Sequence, residues 1–254
     1  MNTRSITRAM FACVVLSAGM LALAAAGDVY DKAVANPARS ANDVKRDKID
    51  HPAELLRLAG IKPGARVLDF LTGDGYYSEL LSYVVGPTGK VVMLNNAAFE
   101  GWSEGGAQKR IANKRLPNVE SRIADVNKMD LAPGSFDAIL VIKVYHDLYW
   151  VDPKGTWPKI DVPVVLDQLA SALKPGGVLL LVDHSAKAGR GNADAGSIHR
   201  IEETFARKDF ESRGLELTAH SDVLRRPDDK RELVSYEQPA FGKTDRFALV
   251  FRKR

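Results

Sequence analysis

One stretch does more than any other to limit the folds open to this chain: Ala65–Tyr77, A-R-V-L-D-F-L-T-G-D-G-Y-Y. A short apolar run ends in Asp69, turns through Gly73 and Gly75, and enters a helix-forming segment. A strand, a glycine turn and a helix in that order bring backbone N–H groups near a ligand at the strand's carboxyl end. Glycine suits the turn because it takes positive φ and has no Cβ to hold a ligand off. A second strand follows at Lys90–Leu94, then A-D at Ala124–Asp125, then L-K-P-G-G at Leu173–Gly177 before another apolar run.

Apolar patterning places strands at Arg66–Leu71, Lys90–Leu94, Val119–Ala124, Ala138–Val144, Val178–Val182, Leu215–Ser221 and Arg246–Phe251. Helices are expected at His51–Ala59, Tyr77–Val85, Ala107–Leu116, Val164–Leu173 and Ile198–Arg213. Strands alternating with helices argue a parallel sheet with right-handed crossovers. The pattern reads as one domain over residues 51–254, behind an irregular or helical extension at residues 27–50.

Residues 1–26 read as a secretory signal. Arg4 and Arg8 form a positive start, Met10–Ala26 is apolar or small, and Ala24-Ala25-Ala26 supplies a cleavage site. A retained membrane anchor is the alternative, on a run at the lower edge of a span. Cleavage implies a periplasmic or secreted protein without membrane attachment. The only cysteine, Cys13, would leave with the signal, and disulfides, thiolate nucleophiles and cysteine metal sites with it. The net charge of +4 is mild, and no basic run with interleaved aromatics points to nucleic acid.

In their order and spacing these elements resemble the class I S-adenosylmethionine (SAM)-dependent methyltransferases. The resemblance implies a Rossmann-like α/β fold: a mostly parallel seven-stranded sheet, helices on both faces and an antiparallel last strand. It implies SAM as cofactor. G-D-G-Y-Y-S, V-Y-H-D, D-H-S-A, G-S-I-H-R-I and T-D-R-F-A-L-V-F-R-K extend the likeness over Asp43–Lys253, to exported bacterial proteins described as predicted methyltransferases. By the resemblance, Asp69 positions the amino-acid part of SAM. The turn of Leu71, Gly73, Gly75 and Tyr76 packs on its methionine and ribose, with Leu71 standing where the family has its first glycine. Asn95 stands where the family has a ribose-binding acid, and an amide accepts a hydrogen bond without charge to strengthen it. Asp125, beside Val126, matches the residue that meets the adenine amino group, and Met129 either packs on adenine or fills a gap.

The family's catalytic position follows the fourth strand, here K-V-Y-H-D-L-Y-W, Lys143–Trp150. Methyl transfer is an in-line displacement at carbon, so the protein orients the nucleophile and removes its proton. His146 is the expected base, with Asp147 orienting it and Tyr145 beside them; capping of the strand is the plainer alternative. A second polar set, Asp183, His184 and Ser185, follows the fifth strand, with His199 and Arg200 beyond it. His184 and His199 join the candidate catalytic residues, and Arg200 is suited to a substrate carboxylate or phosphate. These histidines and aspartates invite a metal reading, but no fixed ligand spacing supports one and no metal is expected. Arg225–Thr244 is read as a substrate-side lid or a solvated connection.

The leading expectation is methyl transfer to oxygen or nitrogen of a small molecule. Export cuts against it, because SAM is made in the cytoplasm and a charged zwitterion crosses lipid poorly. A methyltransferase-fold binding module without transfer activity, and a metal-assisted hydrolase, therefore stay open. The oligomeric state is not fixed by the sequence.

Overall fold

Residues 28–254 are described by a computed structural model; the signal segment read at residues 1–26, with Cys13, lies outside the described residues. The chain opens with helices α1 (Val29–Val34), α2 (Ala41–Asp50) and α3 (Pro52–Ala59). Next come β1 (Arg66–Phe70), α4 (Tyr76–Val85), β2 (Lys90–Asn95), α5 (Ala97–Trp102), α6 (Gly106–Ile111) and β3 (Val119–Ile123). The second half carries β4 (Phe136–Ile142), a 3-10 turn at His146–Tyr149, α7 (Val162–Ala172) and β5 (Leu173–His184). It closes with α8 (Ala195–Ile198), α9 (Glu203–Glu211), β6 (Leu215–Ser221) and β7 (Arg246–Lys253).

All seven strands form one sheet in the order β3-β2-β1-β4-β5-β7-β6. The first five pair in parallel, and β7 runs antiparallel to both β5 and β6. The order reverses between β1 and β4, where successive crossovers leave in opposite directions and open a crevice at the strands' carboxyl ends. Alternate strand residues feed two apolar clusters. Leu68, Phe70, Val141 and Leu181 pack with Leu166 and Leu169 of α7 and Phe210 of α9. Val67, Met93, Leu140 and Leu180 pack with Leu55 and Leu56 of α3 and Leu80 and Leu81 of α4.

Three expectations are corrected. The helix expected over Ile198–Arg213 is broken: α8 ends at Ile198, His199 turns to φ +51°, and α9 begins only at Glu203. The backbone of Ile201 is drawn to the sheet instead, donating to His184 O and accepting from Ala186 N. The helix expected over Ala107–Leu116 stops at Ile111, where Asn113 and Lys114 take left-handed φ. β5 begins at Leu173 rather than Val178, with Lys174–Gly177 bulging out between the pairs Leu173↔Phe136 and Val178↔Ala138. A Cβ on Gly177 would lie 2.9 Å from Lys174 O, so glycine is required there.

The N-terminal extension lies against the sheet domain. Asp50, at the end of α2, is 2% exposed and accepts from Lys143 Nζ at 2.9 Å, Arg46 Nε at 2.7 Å and the Arg246 guanidinium.

Candidate active site

The turn after β1 folds much as its glycines require. Leu71, Gly73 and Gly75 all have positive φ, at +50°, +64° and +80°. Leu71 therefore holds the backbone that the family's glycine would hold, while its side chain is buried in the cluster around Phe70 and Val126. Gly75 serves packing: a Cβ there would meet Met93 Sδ at 2.8 Å and Arg110 Cδ at 3.0 Å. Asp69 is buried, and one of its oxygens accepts from the hydroxyls of Thr72 and Ser78, each at 2.6 Å. Burial pushes its carboxyl up to about 6 despite those two hydroxyls. The Tyr76 side chain turns toward α2: its hydroxyl donates to Asp47 at 2.6 Å and the Arg46 guanidinium lies 3.9 Å from the centre of its ring.

At the end of β2, Asn95 binds the turn itself. Its amide accepts from Gly73 N and donates to Gly73 O, both at 3.0 Å, and donates to Glu100 Oε2 at 2.7 Å. The other Glu100 oxygen is buried without a partner, and so is the Asn96 side-chain nitrogen one residue after β2. Glu100, on α5, was not among the sequence candidates. Its only signal was a carboxylate five residues beyond the place where an acid was missing. Phe99 of the same helix leans on the turn, its Cε1 3.5 Å from where a Gly73 Cβ would be. Val126 is buried, and exposed Asp125 caps the short turn after β3, accepting from Asn127 N at 2.9 Å.

Beyond β4 and β5, three side chains meet. His146 Nε2, Asp147 Oδ1 and His199 Nδ1 form a triangle with every edge 3.2 Å. On its far side His146 Nδ1 lies 2.6 Å from Asp183 Oδ1. Asp183 is fully buried and is held by the backbone N–H groups of His146, at 2.9 Å, and His184, at 2.7 Å. Burial would lower the His146 ring, but Asp147 and Asp183 outweigh it and raise the ring to about 10. Burial likewise opposes ionisation of Asp147, yet His146 and then His199 hold it at about 2. His146, the expected base, is thus held between Asp147 and Asp183. His199 is covered by the rings of Tyr236, at 4.8 Å, and Trp150, at 5.5 Å.

The other candidates lie apart from this triangle. His184 Nδ1 faces Thr244 Oγ1 at 2.8 Å, with its ring 6.0 Å from that of His146; burial pushes it well below its ordinary range. Tyr145 points into the core, where its hydroxyl donates to Asp209 at 2.7 Å and its ring packs on Phe210. Arg200 has no exposed surface and pairs with Asp229 at 2.8 Å, so it anchors the Arg225–Thr244 loop and is not available to a substrate.

A doubly wound sheet of this order, with a glycine turn after β1 and polar groups after β4, defines a methyltransferase-type Rossmann fold. Residues 61–221 match the family model described as Methyltransferase domain, and the chain belongs to that family. It is 30% identical over 132 residues to the ubiquinone/menaquinone biosynthesis C-methyltransferase UbiE of Ectopseudomonas mendocina (strain ymp), covering 51% of this chain and 46% of that protein. The chain thus spans about half the length of the curated relatives it matches. Among solved structures, a SAM-dependent methyltransferase from Aquifex aeolicus superposes with a TM-score of 0.57 at 22% identity, over 84% of this chain and 98% of that one. The [4+2]-cyclase SpnF superposes equally well, with a TM-score of 0.57 at 13% identity over 83% of this chain and 81% of its own. Those two likenesses establish the fold alone.

The residues present fit SAM at one telling point. A ribose hydroxyl is donor and acceptor at once, and Glu100 Oε1 and Asn96 Nδ2 are a buried acceptor and donor without partners where the ribose acid is expected.

Proposed function

We propose that the protein is a SAM-dependent methyltransferase acting on a hydroxylated, aromatic small molecule. The observation that carries this reading is the pair of unpartnered buried atoms at Glu100 and Asn96, on a chain of the methyltransferase-domain family. Glu100 and Asn96 bind the ribose, the Leu71–Gly75 turn holds the amino-acid end, and Val126 and Asp125 border the adenine. Bound SAM supplies an electrophilic methyl group. The acceptor lies against Trp150, Tyr236 and His199, whose rings favour a flat apolar body, and its hydroxyl meets the triangle of His146, Asp147 and His199. Ionising that hydroxyl makes both the oxygen and the ring carbons beside it nucleophilic. A phenolic acceptor therefore accommodates oxygen as the acceptor atom and also the carbon acceptor named for the UbiE relatives.

The partner is a small molecule rather than nucleic acid or membrane; among the described residues no helix is long and apolar enough to cross a membrane. Residues 1–26 act as a cleaved export signal, which is tested by fractionation and N-terminal sequencing of the mature chain. Transfer itself is tested by incubating the protein with methyl-labelled SAM and a panel of phenols and amines, reading products by mass spectrometry. Label on a phenolic oxygen or an adjacent ring carbon is the expected result. Label only on amine acceptors would overturn the hydroxyl-directed reading.

A further inference from the structure

We propose that His146, Asp147 and His199 form a binding site for a divalent transition-metal ion, with zinc the best match. The three ligand atoms are mutually 3.2 Å apart, so each lies about 1.9 Å from the centre of their triangle. An ion seated slightly above that centre reaches all three at about 2.0–2.1 Å, the ordinary zinc–nitrogen and zinc–carboxylate distance. Among the described residues this is the one group of histidine and acidic side chains whose ligand atoms converge in this way.

Hydrogen bonding alone does not satisfy the triangle. Asp147 is an acceptor when ionised, and each imidazole nitrogen is either donor or acceptor. If both nitrogens carry protons, they serve Asp147 but face each other as two N–H groups. If only one does, the other nitrogen turns a lone pair toward the carboxylate. If neither does, all three edges set lone pair against lone pair. With Asp147 ionised, every arrangement leaves at least one edge repulsive at 3.2 Å, and a metal ion relieves all three at once.

The surroundings match a metal centre as well. Asp183 accepts from His146 Nδ1 at 2.6 Å, which fixes the tautomer that leaves Nε2 free to ligate. A carboxylate behind a ligating histidine raises its basicity and fixes its plane. Asp183 is itself pinned by two backbone N–H groups. His199 reaches the site from a left-handed backbone, φ +51°, at the break between α8 and α9. Two histidines and one carboxylate leave a fourth position open, the arrangement of a catalytic rather than a structural zinc.

The site stands without the methyl-transfer reading, and only its use depends on that reading. An acceptor hydroxyl taking the open position releases its proton to solvent and binds the ion as an oxyanion at neutral pH.

The test is direct titration. Chelator-treated protein is titrated with Zn²⁺ against a chromophoric chelator, and with Co²⁺ by visible absorption, in the absence of SAM. One equivalent per chain is expected, with the intense visible bands of four-coordinate Co²⁺. His199→Asn tolerates the left-handed backbone but is a poor ligand, and should weaken Zn²⁺ affinity at least about 100-fold. Asp183→Asn should weaken it about 10–100-fold. His220→Ala, on the exposed face of β6 away from the cluster, should leave affinity unchanged. A folded wild-type chain that takes up no Zn²⁺ overturns the site, as does tight binding untouched by His199→Asn. Either failure leaves SAM binding, measured separately, to judge the methyltransferase reading.

Discussion

Leu71 sits at φ +50° with its side chain 2% exposed, so two opposing terms act at one residue. A left-handed backbone costs a non-glycine residue about 1–2 kcal/mol. Removing a buried leucine side chain costs about 2–5 kcal/mol. The packing term wins, and Leu71→Gly should destabilise the protein by about 1–3 kcal/mol in urea unfolding; a stabilised variant would mean that strain dominates. Two residues earlier, Asp69 gives a pH signature. Its folded value of about 6 exceeds the ordinary 3.8, so its contribution to stability is present below pH 4 and lost as pH rises through 6. Asp69→Asn removes that loss. The variant should gain on wild type by up to about 3 kcal/mol between pH 4 and pH 7.5, as read by urea unfolding at each pH. A constant difference between the two proteins would contradict the burial argument. Asp69 and the glycines were legible because strand, turn and helix are local events. Glu100 was not, because nothing local says that a helix after β2 brings its carboxylate back to Asn95.

Among the elements, the strands declared themselves through apolar runs and came out within a few residues, apart from the start of β5. The breaks in helices did not. The segment after Ile198 carries enough helix-forming residues to read as continuous, but the hydrogen bonds between Ile201 and the end of β5 outweigh local preference. That break brings His199 to His146, so the site's third member depended on a tertiary contact the pattern does not encode. α2 offers a test at this scale. Its Asp50 neutralises Lys143 and Arg246 from the sheet domain, and a buried cation left without its partner is costly. Asp50→Ala should destabilise the protein by about 3–5 kcal/mol. For a domain of this size that lowers the melting temperature by roughly 10 °C, measurable by calorimetry. An unchanged melting temperature would show that α2 is not tied to the sheet domain through this pair.

For the whole molecule, the order β3-β2-β1-β4-β5-β7-β6 explains why chemistry gathers where it does. Reversal between β1 and β4 brings four loops to one edge: the glycine turn, the β2–α5 junction, the 3-10 turn at His146–Tyr149 and the segment after β5. The topology followed from the resemblance, and the residues Asp69, Asn95, His146 and Asp147 fell at strand ends as expected. What remained hidden was the division of labour: Asn95 bonded to its own turn, Arg200 sealed inside the loop, and His146 locked between two carboxylates. The central claim is that the crevice still recognises SAM through Glu100 in place of the missing acid. The most direct measurement is calorimetric titration of SAM, and of its demethylated product, into wild type and Glu100→Gln. Micromolar binding weakened about 10-fold or more by Glu100→Gln is the expected result, the loss of one charge-assisted hydrogen bond. No binding to a well-folded protein, or binding indifferent to Glu100→Gln, would contradict it.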